Sequence, residues 1–389
     1  MLKFTFAELP QEYRPGLEAL APEIGLCESP DGMPVYVKSG EGVSLCREGE
    51  AFVLSCAGKS EFFRGLTLLC RYAKEGEVSV SETPRFDKCG LMPDCSRNAV
   101  LKPDSVKYLL RRMALAGMNW MMLYTEDTYT VPERPYFGYL RGRYSFEELK
   151  GLDDYADMLG IEMIPCIQTL AHLERALQWP VMAEYRDTDD VLLTGEREPK
   201  TYEFIRQCIR AASAPFRSKR IHIGMDEAYW MGRGQYLNKY GYASKVELMR
   251  NHLKLVKEIL DEEGLEAMMW SDMHFTAARD EGVYHPDCIL TPEILAAAPE
   301  NIGLVYWDYY HEDNASYANM LQKHAQFKAK TIFAGGIWTW CGPAADYRKT
   351  LAATLPALEE CVKAGVKEVF ATCWGDDGAE CNLYTLQYG

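Results

Sequence analysis

The sequence predicts a parallel (β/α)8 barrel, an α/β fold of the TIM-barrel class, preceded by a small α+β domain. Eight apolar runs of strand length follow one another between residues 89 and 374, and helical segments without a hairpin signal separate them. This alternation is typical of a parallel sheet that closes on itself. A doubly wound sheet is the second choice, because its first strand usually leads into a Gly-rich phosphate loop, and the sequence has none there.

The beginning of the chain has a different texture. Short β-like runs alternate with Gly-rich turns, and the segment 60–74 places its apolar residues at helical spacing. The β-like runs cover residues 34–46, 51–56 and 77–82. We therefore expect a small domain over residues 1–85 and a barrel over residues 86–389.

Each strand of the barrel is predicted from its own apolar run. The eight runs cover residues 89–95, 118–124, 161–167, 220–225, 265–271, 302–308, 331–338 and 368–374. Four intervening helices end at a glycine, a common residue just past a helix end: 103–117, 145–160, 244–264 and 347–365. The long stretch 169–220 is expected to hold an elaborated loop near residues 184–200 and a helix. Because only residues 375–389 follow the eighth strand, we expect the last helix of the barrel to be incomplete.

Composition excludes several classes of function. With 57 acidic against 42 basic residues and a net charge of −15, the chain is a poor candidate for binding nucleic acid. No apolar run approaches the ~20 residues that cross a bilayer. The N-terminus has no secretory apolar stretch, and 13 scattered cysteines are typical of reduced thiols. We therefore expect a cytoplasmic protein with no membrane or nucleic-acid partner.

Carboxylates and aromatic side chains collect where the predicted strands end, which is where barrel enzymes carry their active sites. Five of the eight tryptophans lie in the last four strand ends. Aromatic faces that stack on sugar rings, with carboxylates that bind hydroxyls, are typical of a carbohydrate pocket. The candidate residues are Arg97, Glu126, Asp127, His172, Asp226, Glu227, Trp270, Tyr306, Asp308, Trp338, Trp340, Trp374 and Asp376.

Each position also has a structural explanation. A tryptophan at a strand end can plug the barrel, and Asp226 with Glu227 can be an acidic pair at a helix N-terminus. Arg97 can form an ion pair without a catalytic role, and His172 can serve loop packing. His222, in the middle of a strand, is expected to be a core histidine. No His–His or His–Asp motif occurs at metal-ligand spacing, so the sequence predicts no metal and no cofactor.

One hexapeptide carries the most specific resemblance. Residues 222–227, HIGMDE, resemble the H-x-G-x-D-E signature of glycoside hydrolase family 20, the β-N-acetylhexosaminidases. Further segments resemble family motifs in the same order along the chain: the first-domain segments 63–69 and 84–86, D-x-S-R at 94–97, Y-x-D at 306–308 and W-G-E at 374–376. The resemblance covers nearly the whole chain.

The resemblance implies an exo-acting, retaining enzyme in which the 2-acetamido oxygen of the substrate attacks the anomeric carbon. Glu227 would be the general acid. Asp226 would orient the acetamido N–H and balance the positive charge of the oxazolinium intermediate. Tyr306 would hold the acetamido oxygen, and His172, with Glu126 or Asp127, would support the acid.

The remaining rim residues would bind a terminal GlcNAc or GalNAc. By this resemblance Arg97, Asp308 and Asp376 would hold hydroxyls, while the tryptophans would wall the pocket: Trp270, Trp338, Trp340 and Trp374. The substrate would be a glycan or oligosaccharide with a terminal N-acetylhexosamine. The sequence leaves the oligomeric state open, a homodimer included.

Two positions depart from the family pattern. Met225 stands where a second glycine is common, and Asp376 is one methylene shorter than the usual glutamate. Two other functions stay open. One is a barrel that binds N-acetylhexosamine without catalysis, and the other is a retaining β-glycosidase with a carboxylate nucleophile, for which Asp272 is the candidate.

Overall fold

The computed structural model describes residues 1–97, 99–278, 283–342 and 344–376. The chain forms two compact units. The first comprises residues 1–90, 101–121 and 151–163, and the second comprises residues 91–100, 122–150 and 164–389. The domain boundary at residue 85 stays a prediction.

The first unit contains a six-stranded sheet. Its strands are β1 (Leu2–Ala7), β2 (Leu26–Glu28), β3 (Met33–Ser39), β4 (Val43–Glu48), β5 (Ala51–Cys56) and β6 (Ser79–Glu82), in the order β2-β1-β3-β5-β4-β6. Helix α2 (Lys59–Tyr72) buries Phe62, Phe63, Leu66 and Leu69, as its apolar spacing predicts. Three elements of this unit were not predicted from the sequence: β1, β2 and helix α1 (Arg14–Leu20).

Eight described strands close into the predicted parallel barrel. They are β7 (Lys88–Pro93), β8 (Trp120–Tyr124), β9 (Glu162–Cys166), β10 (Arg220–His222), β11 (Glu266–Trp270), β12 (Gly303–Trp307), β13 (Thr331–Gly336) and β14 (Glu368–Cys373). All eight lie in the predicted runs or overlap them by all but one residue. The (β/α)8 barrel with a preceding α+β sheet is therefore confirmed.

The helices of the barrel follow the predicted end signals. They are α3 (Pro103–Ala116), α4 (Phe146–Met158), α5 (Glu174–Leu177), α6 (Pro199–Ser213), α7 (Gln235–Tyr240), α8 (Lys245–Glu263), α9 (Asp272–Ala278), α10 (Pro292–Ala297), α11 (Asn314–His324) and α12 (Tyr347–Lys363). Helices α3 and α8 end directly before Gly117 and Gly264, and the stretch 169–220 holds a loop and α6 as expected.

Two further expectations concern the last helix of the barrel and membrane-spanning segments. The predicted incomplete last helix falls on residues 377–389, which lie outside the described residues. Within the described ranges, every helix is too short or too polar to span a membrane.

Candidate active site

A cleft of about 220 Å3 opens at the carboxyl ends of the barrel strands. Seven of the candidate residues line it: Arg97, Asp226, Glu227, Trp270, Trp340, Trp374 and Asp376. Three aromatic residues that were not predicted as site residues, Trp307, Tyr309 and Tyr310, line it as well. The walls are therefore largely aromatic, and charged groups lie between them.

The backbone after β10 turns sharply and separates the two adjacent acids. Gly224, Met225 and Glu227 have φ angles of 70°, 74° and 52°, in the left-handed region that favours glycine. A Cβ on Gly224 would lie 1.9 Å from Oε1 of Gln168, so this position also needs glycine for space. The turn leaves the Asp226 side chain 11% exposed and the Glu227 side chain 39% exposed.

Asp226 is held as a carboxylate by two neighbours. Gln168 Nε2 donates to Asp226 Oδ1 at 2.9 Å, and His172 Nε2 lies 3.1 Å from Asp226 Oδ2. Burial raises the pKa of Asp226, but His172 and the hydrogen bond from Gln168 outweigh burial and bring the pKa below its usual range. Asp226 is therefore ionised and fixed in orientation.

His172 lies between the two acids. Its Nε2 is also 3.4 Å from Glu227 Oε2. Burial lowers the pKa of His172, but Asp226 and Glu227 outweigh burial and raise the pKa well above its ordinary value. One atom each of His172, Asp226 and Glu227 lies within 4.8 Å of the others, so this is the one cluster among the described residues that could hold a metal ion.

Glu227 receives two further contacts. Its backbone N–H donates to Asp272 Oδ2 at 2.9 Å, and the Tyr229 hydroxyl donates to Glu227 Oε1 at 3.3 Å. Burial and the charges of Asp226 and Glu227 raise the pKa of Asp272 well above its usual range. The carboxyl of Glu227 faces the cleft, whereas that of Asp272 is buried behind the Glu227 backbone.

Arg97 forms the charged wall opposite these acids. Its guanidinium contacts Asp94 at 3.3 Å and Glu126 at 3.4 Å. It also lies 4.8 Å from the ring centroid of Tyr124 and 5.0 Å from that of Trp374, a cation–π arrangement. Arg97 is thereby held rigidly at the rim of the cleft.

The two acids predicted to support His172 have different partners. Glu126 is buried and accepts hydrogen bonds from Ser96 Oγ at 3.1 Å and from the Tyr124 hydroxyl at 3.2 Å. Asp127 is 1% exposed and pairs with Arg141 at 3.3 Å. The structure thus uses Glu126 to hold Arg97 and places Asp127 with a different cation, while His172 contacts Asp226 and Glu227 directly.

The placement of Tyr306 and Asp308 corrects the expectation from the sequence. Trp270 pairs with Val305 in the β11–β12 register, so Val305 and Trp307 face the same side as Trp270, and Tyr306 faces the opposite side. The Tyr306 ring packs 4.7 Å from His324 of α11, and its hydroxyl donates to Asp308 Oδ2 at 2.7 Å.

Asp308 ends this strand rather than lining the cleft. It accepts from the backbone N–H groups of Tyr310 and His311 and contacts the His311 side chain at 2.7 Å. These bonds use both carboxylate oxygens to fix the turn after β12. The turn brings Tyr309 and Tyr310 into the cleft in place of Tyr306.

Trp338, which was predicted to wall the pocket, lies behind the residues that line the cleft. Its ring stacks on Trp340 at 4.7 Å with an interplanar angle of 27°, and its indole N–H donates to the Tyr309 carbonyl at 2.9 Å. Trp340 presents itself to the cleft, and Trp338 supports it.

Comparison with known proteins identifies the family. Residues 86–327 match the catalytic domain of glycosyl hydrolase family 20. The chain belongs to this family. Hexosaminidase D of Homo sapiens is 26% identical over 224 residues, which are 53% of this chain and 42% of that protein. Hexosaminidase D of Bos taurus is 24% identical over 258 residues, 62% of this chain and 68% of that protein.

Solved family 20 structures share the fold. An exo-β-N-acetylglucosaminidase from Vibrio harveyi superposes with a TM-score of 0.72 at 16% identity and covers 100% of this chain and 69% of that one. A chitobiase from Flavobacterium johnsoniae gives a TM-score of 0.70 at 20% identity, over 96% of this chain and 62% of that one. The chain spans less than half the length of its human relative.

Several residues at the site of this family 20 chain were not predicted from its sequence. Gln168 was placed at a strand end without a role, although it holds Asp226 and also donates to the Tyr124 hydroxyl at 3.0 Å. Tyr309 and Trp307 lie in the run YWDYY, which contains four aromatic residues, and the sequence does not indicate which of them face the interior. Strand alternation separates them only after one position is known to face the interior.

Proposed function

We propose that this family 20 protein is an exo-acting, retaining β-N-acetylhexosaminidase that removes terminal β-linked GlcNAc or GalNAc by substrate-assisted catalysis. The observation that carries the proposal is the contrast between two adjacent acids. Asp226 is buried and ionised by its neighbours, while Glu227 extends into an aromatic cleft. Two carboxyl groups in different environments are suited to two different roles.

The first step begins with proton transfer from Glu227 to the glycosidic oxygen. The bond between C1 and that oxygen breaks, and the acetamido oxygen forms a bond to C1 from the opposite face, giving an oxazolinium ion. In the second step Glu227 accepts a proton from water, which attacks C1 and reopens the ring. Two inversions at C1 retain the anomeric configuration.

Asp226 accepts a hydrogen bond from the acetamido N–H and stabilises the positive charge of the oxazolinium ring. Because Gln168 and His172 hold its oxygens, this carboxylate needs no reorganisation during the reaction. Intramolecular attack by a well-oriented group can contribute on the order of 7 kcal/mol or more. The fixed carboxylate therefore serves to select the reactive orientation of the acetamido group.

Tyr309 is the residue that we assign to the acetamido oxygen, in place of Tyr306. Tyr309 lines the cleft together with Asp226 and is 4% exposed. Its ring stacks on Trp307 at 5.4 Å, and Thr372 and Trp374 hydrogen-bond with its side chain. Burial raises the pKa of Tyr309 well above its ordinary value, so the hydroxyl stays a hydrogen-bond donor.

The rest of the cleft fits a single terminal sugar. Trp270, Trp340 and Trp374 provide faces for the sugar ring and the acetamido methyl, and Arg97 and Asp376 provide charged partners for hydroxyls. A volume of about 220 Å3 leaves room for little beyond one residue. These features support action at a non-reducing end.

A carboxylate nucleophile is less well supported. Asp272 is fully buried, its Oδ2 already accepts from the Glu227 backbone, and its raised pKa favours the neutral acid. A neutral carboxyl behind the general acid is a poor nucleophile. A binding protein without catalysis is likewise disfavoured, because Asp226 and Glu227 keep their contacts to His172.

The compartment is also part of this proposal. None of the twelve described cysteines forms a disulfide. This supports a location in the cytoplasm, where thiols are kept reduced. A fractionation assay with an antibody to the chain tests this placement, and recovery from the secreted fraction would contradict it.

The activity is tested with 4-nitrophenyl β-GlcNAc and β-GalNAc, using the wild-type chain and Glu227→Gln. We expect turnover of one or both substrates by the wild type and a loss of about 100-fold or more in Glu227→Gln, as for removal of a general acid. Competitive inhibition by a GlcNAc-derived thiazoline is expected. A folded wild-type chain that turns over neither substrate would contradict the proposal.

A further inference from the structure

Asp272 is a fully buried carboxyl whose contact is aimed at the main chain of the general acid. It is the first residue of α9 and directly follows β11, the neighbour of β10 in the barrel. Its Oδ2 accepts from the Glu227 backbone N–H at 2.9 Å. Its own side chain is 0% exposed, and Asp272 is not among the residues that line the cleft.

The hydrogen bond from the Glu227 N–H to Asp272 lies at a residue whose backbone conformation is unfavourable. Glu227 has a φ of 52°, and a left-handed conformation costs a non-glycine residue about 1–2 kcal/mol. Asp226, on the same turn, is fixed through its side chain by Gln168 and His172. Glu227 is more exposed, and the Tyr229 hydroxyl at 3.3 Å is a longer contact. The Tyr229 backbone N–H also donates to the Glu227 carbonyl at 2.7 Å, so the hydrogen bond to Asp272 is the buried side-chain restraint on the main chain of Glu227.

We propose that Asp272 is a positioning residue, which holds the Glu227 main chain so that the Glu227 carboxyl reaches the glycosidic oxygen. This inference rests on the proposed function. It requires an oxygen acceptor at residue 272 and does not require a charge there. It also predicts a selective defect in the first step, and hence in kcat/KM, because a misplaced general acid slows bond cleavage only for substrates whose leaving group needs a proton.

The test compares Asp272→Asn with Asp272→Leu. Both side chains branch at Cγ as aspartate does, but only asparagine keeps an oxygen that can accept from the Glu227 N–H. Two substrates are used for each variant: 4-methylumbelliferyl β-GlcNAc, whose leaving group benefits from protonation, and 2,4-dinitrophenyl β-GlcNAc, whose leaving group departs unprotonated. Thermal unfolding checks that each variant folds.

We expect Asp272→Asn to stay close to wild type with both substrates. In Asp272→Leu we expect kcat/KM with the methylumbelliferyl substrate to fall by about 100-fold, the cost of a small misplacement of a reacting group. With the dinitrophenyl substrate kcat/KM should change little, because it reports only the first step, in which this leaving group departs unprotonated. Its kcat should fall, because Glu227 also accepts the proton from water in the second step. If Asp272→Leu does not fold, Asp272→Ala enters the same comparison.

Three results would overturn the inference. Equal losses of kcat/KM with both substrates in Asp272→Leu would show general damage to the site. A loss in Asp272→Asn as large as in Asp272→Leu would show that the carboxylate itself is needed. Wild-type activity in Asp272→Leu would show that the contact is dispensable. An inactive wild-type chain would instead contradict the proposed function, and thus the two failures are distinguishable.

Discussion

The imidazole Nε2 of His172 lies 3.1 Å from Oδ2 of Asp226, and the two groups shift each other's pKa in opposite directions. Asp226 favours the imidazolium, and the imidazolium favours the carboxylate. The same nitrogen is 3.4 Å from Glu227, so one cation links the proposed charge-balancing acid to the proposed general acid. The protonation of His172 therefore determines how well Asp226 keeps its charge at low pH.

Replacing His172 should move the acid side of the pH profile. In His172→Gln the cation that lowers the pKa of Asp226 is lost, so that pKa rises and the carboxylate becomes protonated at a higher pH. The acid limb of kcat/KM is expected to shift upwards in pH, with a lower maximum. The measurement is kcat/KM against pH with 4-nitrophenyl β-GlcNAc.

A matched control comes from another histidine–aspartate pair. His311 contacts Asp308 at 2.7 Å away from the cleft lining, and Asp308 lowers no barrier in the proposed reaction. His311→Gln should leave the acid limb in place. An acid limb that stays unchanged in His172→Gln, or moves equally in both variants, would contradict the role of His172.

Two tyrosines are alternative partners for the acetamido oxygen: Tyr306 was assigned from the sequence, and Tyr309 is assigned from the structure. Tyr309→Phe should lower kcat by about 100-fold, comparable to loss of one preorganised donor to a developing charge. Tyr306→Phe removes a buried hydrogen bond to Asp308 and should lower the free energy of unfolding by about 1–3 kcal/mol. Its kcat should stay near that of the wild type. Steady-state kinetics and thermal unfolding of both variants provide the test, and the reverse pattern would restore Tyr306 to the site.

Met225 offers a prediction in which two energies oppose each other. It is 0% exposed and has a φ of 74°. Met225→Gly relieves backbone strain of about 1–2 kcal/mol but removes a buried side chain worth about 2–5 kcal/mol. The lost packing outweighs the relief, so we expect the free energy of unfolding to fall by about 1–3 kcal/mol. Urea unfolding measures it, and a more stable variant would show that the strain dominates.

The fold could be predicted because its signals are local and repeated. Eight apolar runs alternate with helices that end at glycines, and the described residues keep this order. Strand β2 was missed because its three residues, Leu26–Glu28, are too few to show strand alternation, and the six residues of β1, Leu2–Ala7, were not recognised as a strand. Sheet pairing, which is non-local, defines them.

The site could be predicted less completely than the fold. The adjacent acids Asp226 and Glu227 were found because they form a motif at one strand end. The misplacement of Tyr306 arose from strand register, which is set by the pairing of Trp270 with Val305 and cannot be read from a short aromatic run. Gln168 was overlooked because an uncharged amide at a strand end carries no chemical signal until its partner is known.

Substrate-assisted catalysis is tested most directly by weakening the nucleophile within the substrate. The wild-type chain is assayed with 4-nitrophenyl glucosaminides that carry N-acetyl, N-fluoroacetyl, N-difluoroacetyl or N-trifluoroacetyl groups. Fluorine withdraws electrons from the acyl oxygen, so attack by that oxygen predicts a steep fall in kcat/KM along the series. A kcat/KM that stays level across the series would show that the acyl oxygen does not attack and would contradict substrate-assisted catalysis.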